Sequence, residues 1–297
     1  MDITVIIQVA LGMIFVVIML AVITSQIQDW IASLFSWRAS MLEETIGHML
    51  GDQRLKDKIY NHPLIKGLHT DGGKRKPGGI PEDKFALVLF EEVMNSGVNV
   101  GEVKDTFDKL KKNVAALKNM EAGNELKDFA KSLDTLLIGI EDKADDTSHA
   151  ITEARKRVEG WFNNSMDRLG GAYKRRLQVV ALVVGISVAT VLNVDMGAIM
   201  TTLWRDPVVR QAVAAQASQL QASDTQSNET PSVEEIAKNV EKLNALALPI
   251  GWSAKNMPSD ANGWAAKIVG IFLSGMAAAQ GAPYWFDIMR KILSRGK

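Results

Sequence analysis

The sequence predicts an all-α protein with three transmembrane helices. A helical cytosolic domain is inserted between the first two spans, and a small helical extracytoplasmic segment lies between the last two. The 297-residue chain is 47% hydrophobic, and its longest apolar stretches form three runs. The segments between these runs repeat apolar residues at helical spacing, which gives each predicted helix one apolar face. The chain has only 8 prolines, and stretches in which β-branched residues alternate with other residues are rare. Both features also favour helices.

Charge and cysteine content exclude several classes of protein. The chain has 34 basic and 34 acidic residues and no cysteine. A nucleic-acid-binding protein usually carries a basic excess, so we expect no nucleic-acid partner. Without cysteine there are no disulfides, no thiolate metal sites and no cysteine nucleophile.

The first apolar run extends from Ile3 to Ser25 and contains no charged residue. About 20 apolar residues suffice to cross a bilayer. A signal peptide would need a basic start, a shorter apolar core and a cleavage site. The only charged side chain before this run is that of Asp2. After the run, the apolar pattern continues to Trp37 on one helical face. The run is therefore predicted to be an uncleaved transmembrane helix with an amphipathic extension.

The other two runs extend from Leu177 to Val194 and from Gly263 to Phe286. The second run is near the lower length limit for a span. Trp264 and Trp285 bracket the third run, and a continuous helix would place them roughly 31 Å apart. Because tryptophan favours membrane interfaces, this spacing predicts one span. A buried core helix is the alternative, but three such runs are hard to bury in a soluble protein.

The residues beside the span ends predict the orientation, because basic residues favour the cytoplasmic side. Basic flanks are Arg38 after the first run, Lys174, Arg175 and Arg176 before the second, and Arg290, Lys291, Arg295 and Lys297 after the third. The opposite ends carry Asp2, Asp195 and Asp260. We therefore expect the N-terminus outside and the C-terminus in the cytoplasm. The predicted segments are span 1 with its extension (1–38), the cytosolic domain (39–176), span 2 (177–194), a periplasmic helical and linker segment (195–262), and span 3 with a basic tail (263–297).

Small residues recur every four positions in the second and third runs. These predicted span-packing residues are Ala181, Gly185, Ala189, Ala266, Gly270, Ser274, Ala278 and Ala282. Small residues let helices approach closely, and such faces drive association of spans in lipid. The stripes are sufficient to pack the three spans of one chain. Contacts between subunits are a second use, so we also expect a homo-oligomer or a complex with a membrane or cytosolic protein.

The segment from about Ile151 to Asn193 is predicted to be one continuous helix that enters the membrane. The pair Gly170 and Gly171 is its predicted hinge, because adjacent glycines allow a kink. Two basic groups are predicted contacts with anionic lipid: Lys74, Arg75 and Lys76 in a glycine-rich loop, and Lys174, Arg175 and Arg176 before the second run. For the loop, an ordinary mobile surface segment is the alternative.

No motif in the chain predicts catalysis, and we expect no catalytic, cofactor or metal site. The four histidines, His48, His62, His69 and His149, have neither HExxH nor H-x3-H spacing. His62 and His69 are a weak metal-binding option. The acidic candidates near the cytosolic interface, Asp167 and Asp287, both have basic neighbours, and ordinary ion pairing accounts for them.

Several sequence blocks resemble a group of uncharacterised bacterial integral inner-membrane proteins. The blocks are HPLIKGL, IPEDKFALVLFEEV, WFNNSMDRLGGAYKRRLQ, NVDMGAIMTTLWRDPVVR, LPIGW and GAPYWFDIMRKI. The resemblance implies a bacterial inner-membrane location and transfers no activity or site residue.

These patterns favour a non-enzymatic membrane scaffold or interaction protein that presents a cytosolic helical domain. A gated channel or membrane-disrupting effector driven by that domain is the alternative. An enzyme acting on lipid or an isoprenoid is the third hypothesis.

Overall fold

The computed structural model describes residues 2–70, 75–95, 105–119, 125–140, 147–220, 241 and 248–295. Within these ranges the chain is helical, and its one extended feature is an isolated bridge between Thr70 and Arg75. The predicted all-α class is confirmed for this part of the chain. The predicted helix and linker between residues 223 and 244 lie almost entirely outside it.

The described helices are α1 (Ile3–Phe35), α2 (Trp37–Leu50), α3 (Gln53–Asn61), α4 (Pro63–Lys66), α5 (Glu82–Met94), α6 (Thr106–Lys118), α7 (Glu125–Leu137), α8 (Thr147–Val191), α9 (Met196–Arg205), α10 (Pro207–Leu220), α11 (Ala261–Ala279) and α12 (Ala282–Arg295). They form two compact units. We call residues 36–174 the inserted unit, and residues 1–35 with 175–297 the terminal unit.

The terminal unit is built around α1. This helix is buried on all sides between Val9 and Thr24, where α9, α10, α11 and α12 pack on it. Among the described residues, α1 is the one single helix that is long and apolar enough to cross a membrane. Up to three spans result if α8 with α9, bent by 55°, and α11 with α12, bent by 93°, each count as one.

The inserted unit has its own core, to which the first half of α8 contributes one apolar face. Ala150, Ala154, Val158 and Phe162 recur every four residues on that face and are buried. Phe162 stacks on Phe85 with ring centroids 4.2 Å apart. Local caps begin the shorter helices: Asp52 accepts a hydrogen bond from the backbone N–H of Leu55, and Asp105 accepts one from that of Asp108.

The 45 residues of α8 form a single helix, as the sequence predicted. No loop precedes Leu177, and the helix continues through Gly170 and Gly171. It ends two residues earlier than predicted, because Asn193 adopts a left-handed conformation with φ 49°. Asp195 then caps the first turn of α9.

The third apolar run is not one straight helix, so the prediction that one continuous helix joins Trp264 and Trp285 is wrong. The helix α11 ends at Ala279, and α12 leaves it at 93°. Gly281 supplies the turn with φ 85°. Pro283 cannot donate the backbone hydrogen bond that would continue α11. The indole of Trp285 instead turns back and donates to the carbonyl of Ala277 at 2.7 Å.

Candidate functional site

The backbones of α8 and α11 touch in the terminal unit. A Cβ added to Gly185 would lie 2.7 Å from the carbonyl oxygen of Gly275. A Cβ added to Gly275 would lie 2.6 Å from the Cα of Ile186. Both positions therefore require glycine. Sequence reasoning missed Gly275, which follows Ser274 and falls outside the four-residue stripe. The one signal for it in the sequence is that it is the third glycine of the apolar run.

The predicted span-packing residues lie mostly in this contact region. Buried members are Ala181, Gly185 and Ala189 on α8 and Gly270, Ser274 and Ala278 on α11. Ala266 is exposed, and Ala282 is buried but belongs to α12, beyond the bend. The buried members thus pack helices of the same chain.

The segment between α8 and α9 interrupts the helical hydrogen bonds and is closed by a distant loop. The backbone N–H of Gly251 donates to the carbonyl of Leu192 at 2.8 Å, and the indole of Trp252 donates to that of Thr190 at 2.9 Å. The side-chain amide of Asn193 donates back to the carbonyl of Gly251 at 2.7 Å. Helix-end carbonyls that no helix can satisfy therefore obtain partners from the loop.

Two buried charges flank this break. Asp195 is 8% exposed, and its Oδ1 accepts hydrogen bonds from the backbone N–H groups of Gly197 and Ala198 at 2.9 and 3.3 Å. The same oxygen lies against Gly270, where an added Cβ would come within 1.8 Å. Lys267, 5% exposed, donates to the carbonyl of Asn256 at 2.9 Å and lies over the Trp252 ring. In the sequence, Asp195 is recognisable only as an acidic flank of the second run.

A third buried charge, Arg210, holds α1, α9 and α10 together. Its guanidinium donates to the side-chain oxygen of Gln8 at 3.2 Å and to the carbonyls of Leu203 and Trp204 at 3.1 and 3.3 Å. It is 7% exposed. These carbonyls end α9, and a cation is favourable at the C-terminus of a helix. Composition and spacing gave no signal for this residue.

The inserted unit contains an open groove of about 520 Å³ between α2 and α8. Its lining residues are Met41, Glu44, Thr45, His48, Met49, Trp161, Ser165, Arg168, Leu169 and Ala172. Arg168 donates to the hydroxyl of Ser165 at 3.0 Å, and Ser165 in turn donates to the carbonyl of Trp161 at 3.1 Å. On the other wall, Glu44 lies 3.8 Å from His48. The groove combines an apolar lining with a positioned guanidinium.

The predicted lipid-contacting residues belong to a loop before α5 and to the middle of α8. Lys74 lies outside the described residues, and Arg75 pairs its backbone with Thr70. Lys76 donates to Glu43 at 2.6 Å and lies over the Tyr60 ring. On α8, Lys174, Arg175 and Arg176 are exposed in three consecutive positions.

Glu43 accepts hydrogen bonds from two lysines, Lys76 and the more buried Lys56. This arrangement makes the stability of the folded protein depend on pH. Lys56, 8% exposed, also donates to Glu43 at 3.0 Å. The hydrogen bond from Lys76 lowers the pKa of the Glu43 carboxyl, burial opposes that effect, and Lys56 lowers the pKa further. Because the folded-state pKa is lowered, the stabilisation is present above about pH 5 and is lost as the pH falls through the lowered value.

We therefore expect Glu43→Gln to destabilise the protein at pH 7, by roughly 3 kcal/mol because Lys56 loses its carboxylate partner. Thermal unfolding of the full-length protein in nanodiscs, followed by circular dichroism, measures this. The difference from wild type should shrink as the pH falls through the lowered pKa of Glu43, because the carboxyl then becomes protonated in the folded state as well. Glu44→Gln is the matched control, since Glu44 pairs only with exposed His48. Equal losses at Glu43 and Glu44 would contradict the assignment.

The histidines and acidic candidates serve local structure where the contacts define their role. His62 accepts the N–H of Leu64 at Nδ1 and contacts Glu91 through Nε2, so it caps α4. The Nε2 of His69 is buried without a hydrogen-bond partner among the described residues. Asp287 accepts a hydrogen bond from Arg290 at 2.7 Å, and Asp167 is exposed on α8. Within the described ranges no three potential metal ligands cluster together.

Together these features describe a helical protein with an apolar N-terminal helix and a grooved inserted unit. In comparisons with known protein families, curated proteins and solved structures, the chain matches none. The family resemblance of its sequence blocks therefore stays a prediction.

Proposed function

We propose that the chain is a non-enzymatic scaffold or interaction protein of the bacterial inner membrane, which crosses the bilayer three times. Its N-terminus lies outside and its C-terminus in the cytoplasm, as the basic flanks favour. The inserted unit then faces the cytoplasm and presents its groove to a partner. Lys174, Arg175 and Arg176, exposed before the second span, are placed to meet anionic lipid at the cytoplasmic surface.

The bent helix pairs fit this topology when span limits are reassigned. The 19 residues of α11 extend about 28 Å, which is close to the thickness of the hydrocarbon core. In this proposal α11 alone is the third span, and α12 turns along the cytoplasmic interface. The second span consists of the last turns of α8 followed by α9, so the break at residues 192–195 lies within the bilayer.

One observation carries the scaffold role: α8 supplies a wall of the groove and also a backbone contact with α11 in the terminal unit. Trp161 and Arg168 line the groove, and Gly185 touches Gly275. A helix that belongs to both units connects a binding surface to a membrane anchor. This role requires no catalytic group. The buried small-residue stripes are already used within one chain, so they do not favour subunit contacts. We therefore favour one copy of this chain in a complex with another protein.

Site-specific photocrosslinking in cells tests this role. A photoreactive residue at Thr45 or at Ala172, on the two walls of the groove, should give adducts with the same partner protein, identified by mass spectrometry. Asn163, exposed on α8 but outside the groove lining, is the matched control position. Adducts with unrelated proteins at Thr45 and Ala172, or equal adducts at Asn163, would contradict a defined interaction surface.

A gated channel is the second candidate, and the break between α8 and α9 favours it. Discontinuous helices form the substrate and ion sites of many membrane transporters. Here Asp195 and Lys267 are buried beside the break. In planar bilayers the purified protein should then conduct, with a conductance that Asp195→Asn alters. Silent bilayers under all tested ligands would count against the channel.

A further inference from the structure

We propose that the groove between α2 and α8 binds an anionic amphiphile, a carboxylate or phosphate head attached to an apolar chain. This concerns the same groove as the scaffold role but does not depend on it. A protein partner that fills the groove would exclude the amphiphile, so the labelling test below would then fail while crosslinking at Thr45 and Ala172 succeeds. The volume of about 520 Å³ is within the range of small-molecule sites, which are mostly apolar with a few placed polar groups.

Arg168 is the group that selects an anion. Among the described residues no carboxylate pairs with it, and its one hydrogen bond goes to the hydroxyl of Ser165. Ser165 is 2% exposed and itself donates to the carbonyl of Trp161, so the exposed Arg168 side chain has a fixed hydrogen-bond partner beside the groove. The planar fork of arginine suits carboxylate and phosphate oxygens.

Other arginines of the same helix differ from Arg168 in this respect. Arg155 donates to Glu159 at 3.0 Å, and Arg157 donates to Glu153 at 3.1 Å. Both of those side chains lie outside the groove lining and already have a carboxylate partner. Of these three arginines, Arg168 is the one that lines the groove and has no carboxylate partner among the described residues.

The remaining lining residues suit an apolar chain and fix the direction of the ligand. Trp161, Leu169, Met41 and Met49 supply apolar surface, and methionine adapts its shape to irregular ligands. Glu44, on the opposite wall beside His48, repels an anionic head. The head thus lies at Arg168, and the chain lies along the tryptophan and methionines.

A photoreactive diazirine fatty acid tests this proposal on the full-length protein in phosphatidylcholine nanodiscs. Mass spectrometry should map the label to residues 41–49 and 161–172. Decanoate should compete for labelling, whereas decanol, which has the same chain without the charge, should not. Arg168→Gln should lower labelling about tenfold, since a hydrogen bond to a charged group is worth at least that factor. Arg168→Lys should give an intermediate loss, and Arg155→Gln should leave labelling unchanged.

The possible outcomes distinguish a membrane phospholipid from a free acid as the source of the anionic head group. Other outcomes would overturn the proposal. Competition by phosphatidylglycerol in the nanodisc would identify a membrane phospholipid as the ligand, and competition by decanoate alone a free acid. Equal competition by decanol, or by acetate and inorganic phosphate without any chain, would overturn the amphiphile assignment. Unchanged labelling in Arg168→Gln would overturn the role of the guanidinium. Thermal unfolding of each variant checks that it is folded.

Discussion

Replacing Gly185 with alanine is expected to give a large loss of stability for a single methyl group. The new Cβ would come within 2.7 Å of the carbonyl oxygen of Gly275, which belongs to the backbone of α11 and cannot rotate away. The two helices would have to separate, and overpacking of this kind costs roughly 1–3 kcal/mol or more. Thermal unfolding of the full-length protein in nanodiscs should show a melting temperature lower by several degrees, about 4 °C or more.

Gly170→Ala is the matched control on the same helix. Outside its own turn, no described atom lies within 4 Å of an added Cβ at this position. Alanine is favoured over glycine within a helix by about 0.5–1 kcal/mol, so this variant should be slightly more stable than wild type. If both substitutions lowered the melting temperature equally, the close approach of α8 and α11 would be wrong. Gly170→Ala also tests the predicted hinge at Gly170 and Gly171. If the function of the protein depends on flexibility at Gly170, that function should decrease in this variant although its stability increases.

Long-range helical patterns were the features that the sequence could predict. The continuous α8 follows from an apolar stripe and from the absence of proline across 45 residues. The importance of small residues at Gly185, Gly270 and Ser274 follows from four-residue spacing, which places them on one helical face. These inferences depend on periodicity, which local sequence determines.

The bend at Gly281 and the break at Asn193 were not predictable in the same way. Both depend on one residue with a positive φ inside an apolar run, and hydropathy does not register a backbone angle. The groove was also missed, because its walls lie more than a hundred positions apart in the chain and meet only in the fold. Likewise, the structural role of Arg210 depends on its hydrogen bonds to Gln8 and to the end of α9, which are distant from it or irregular in sequence spacing.

The contact between Asp195 and Gly270 gives the second large prediction. Gly270→Ala should destabilise the protein strongly, because the added Cβ would come within 1.8 Å of the Asp195 Oδ1. That oxygen caps α9, so either the cap breaks or α11 moves. Asp195→Ala alone should cost about 1–2 kcal/mol through the lost cap. The double variant should be little less stable than Asp195→Ala, since the clashing oxygen is then absent.

Thermal unfolding of the four proteins in nanodiscs measures this coupling, and residues in direct contact should couple by about 1 kcal/mol or more. Asp195→Asn separates shape from charge. Its side-chain oxygen can still cap α9, so Gly270→Ala should remain costly in that background. Additive effects of Asp195→Ala and Gly270→Ala would mean that the carboxylate does not lie against α11. If Gly270→Ala were no longer costly in the Asp195→Asn background, the charge of Asp195, rather than its shape, would make Gly270 necessary.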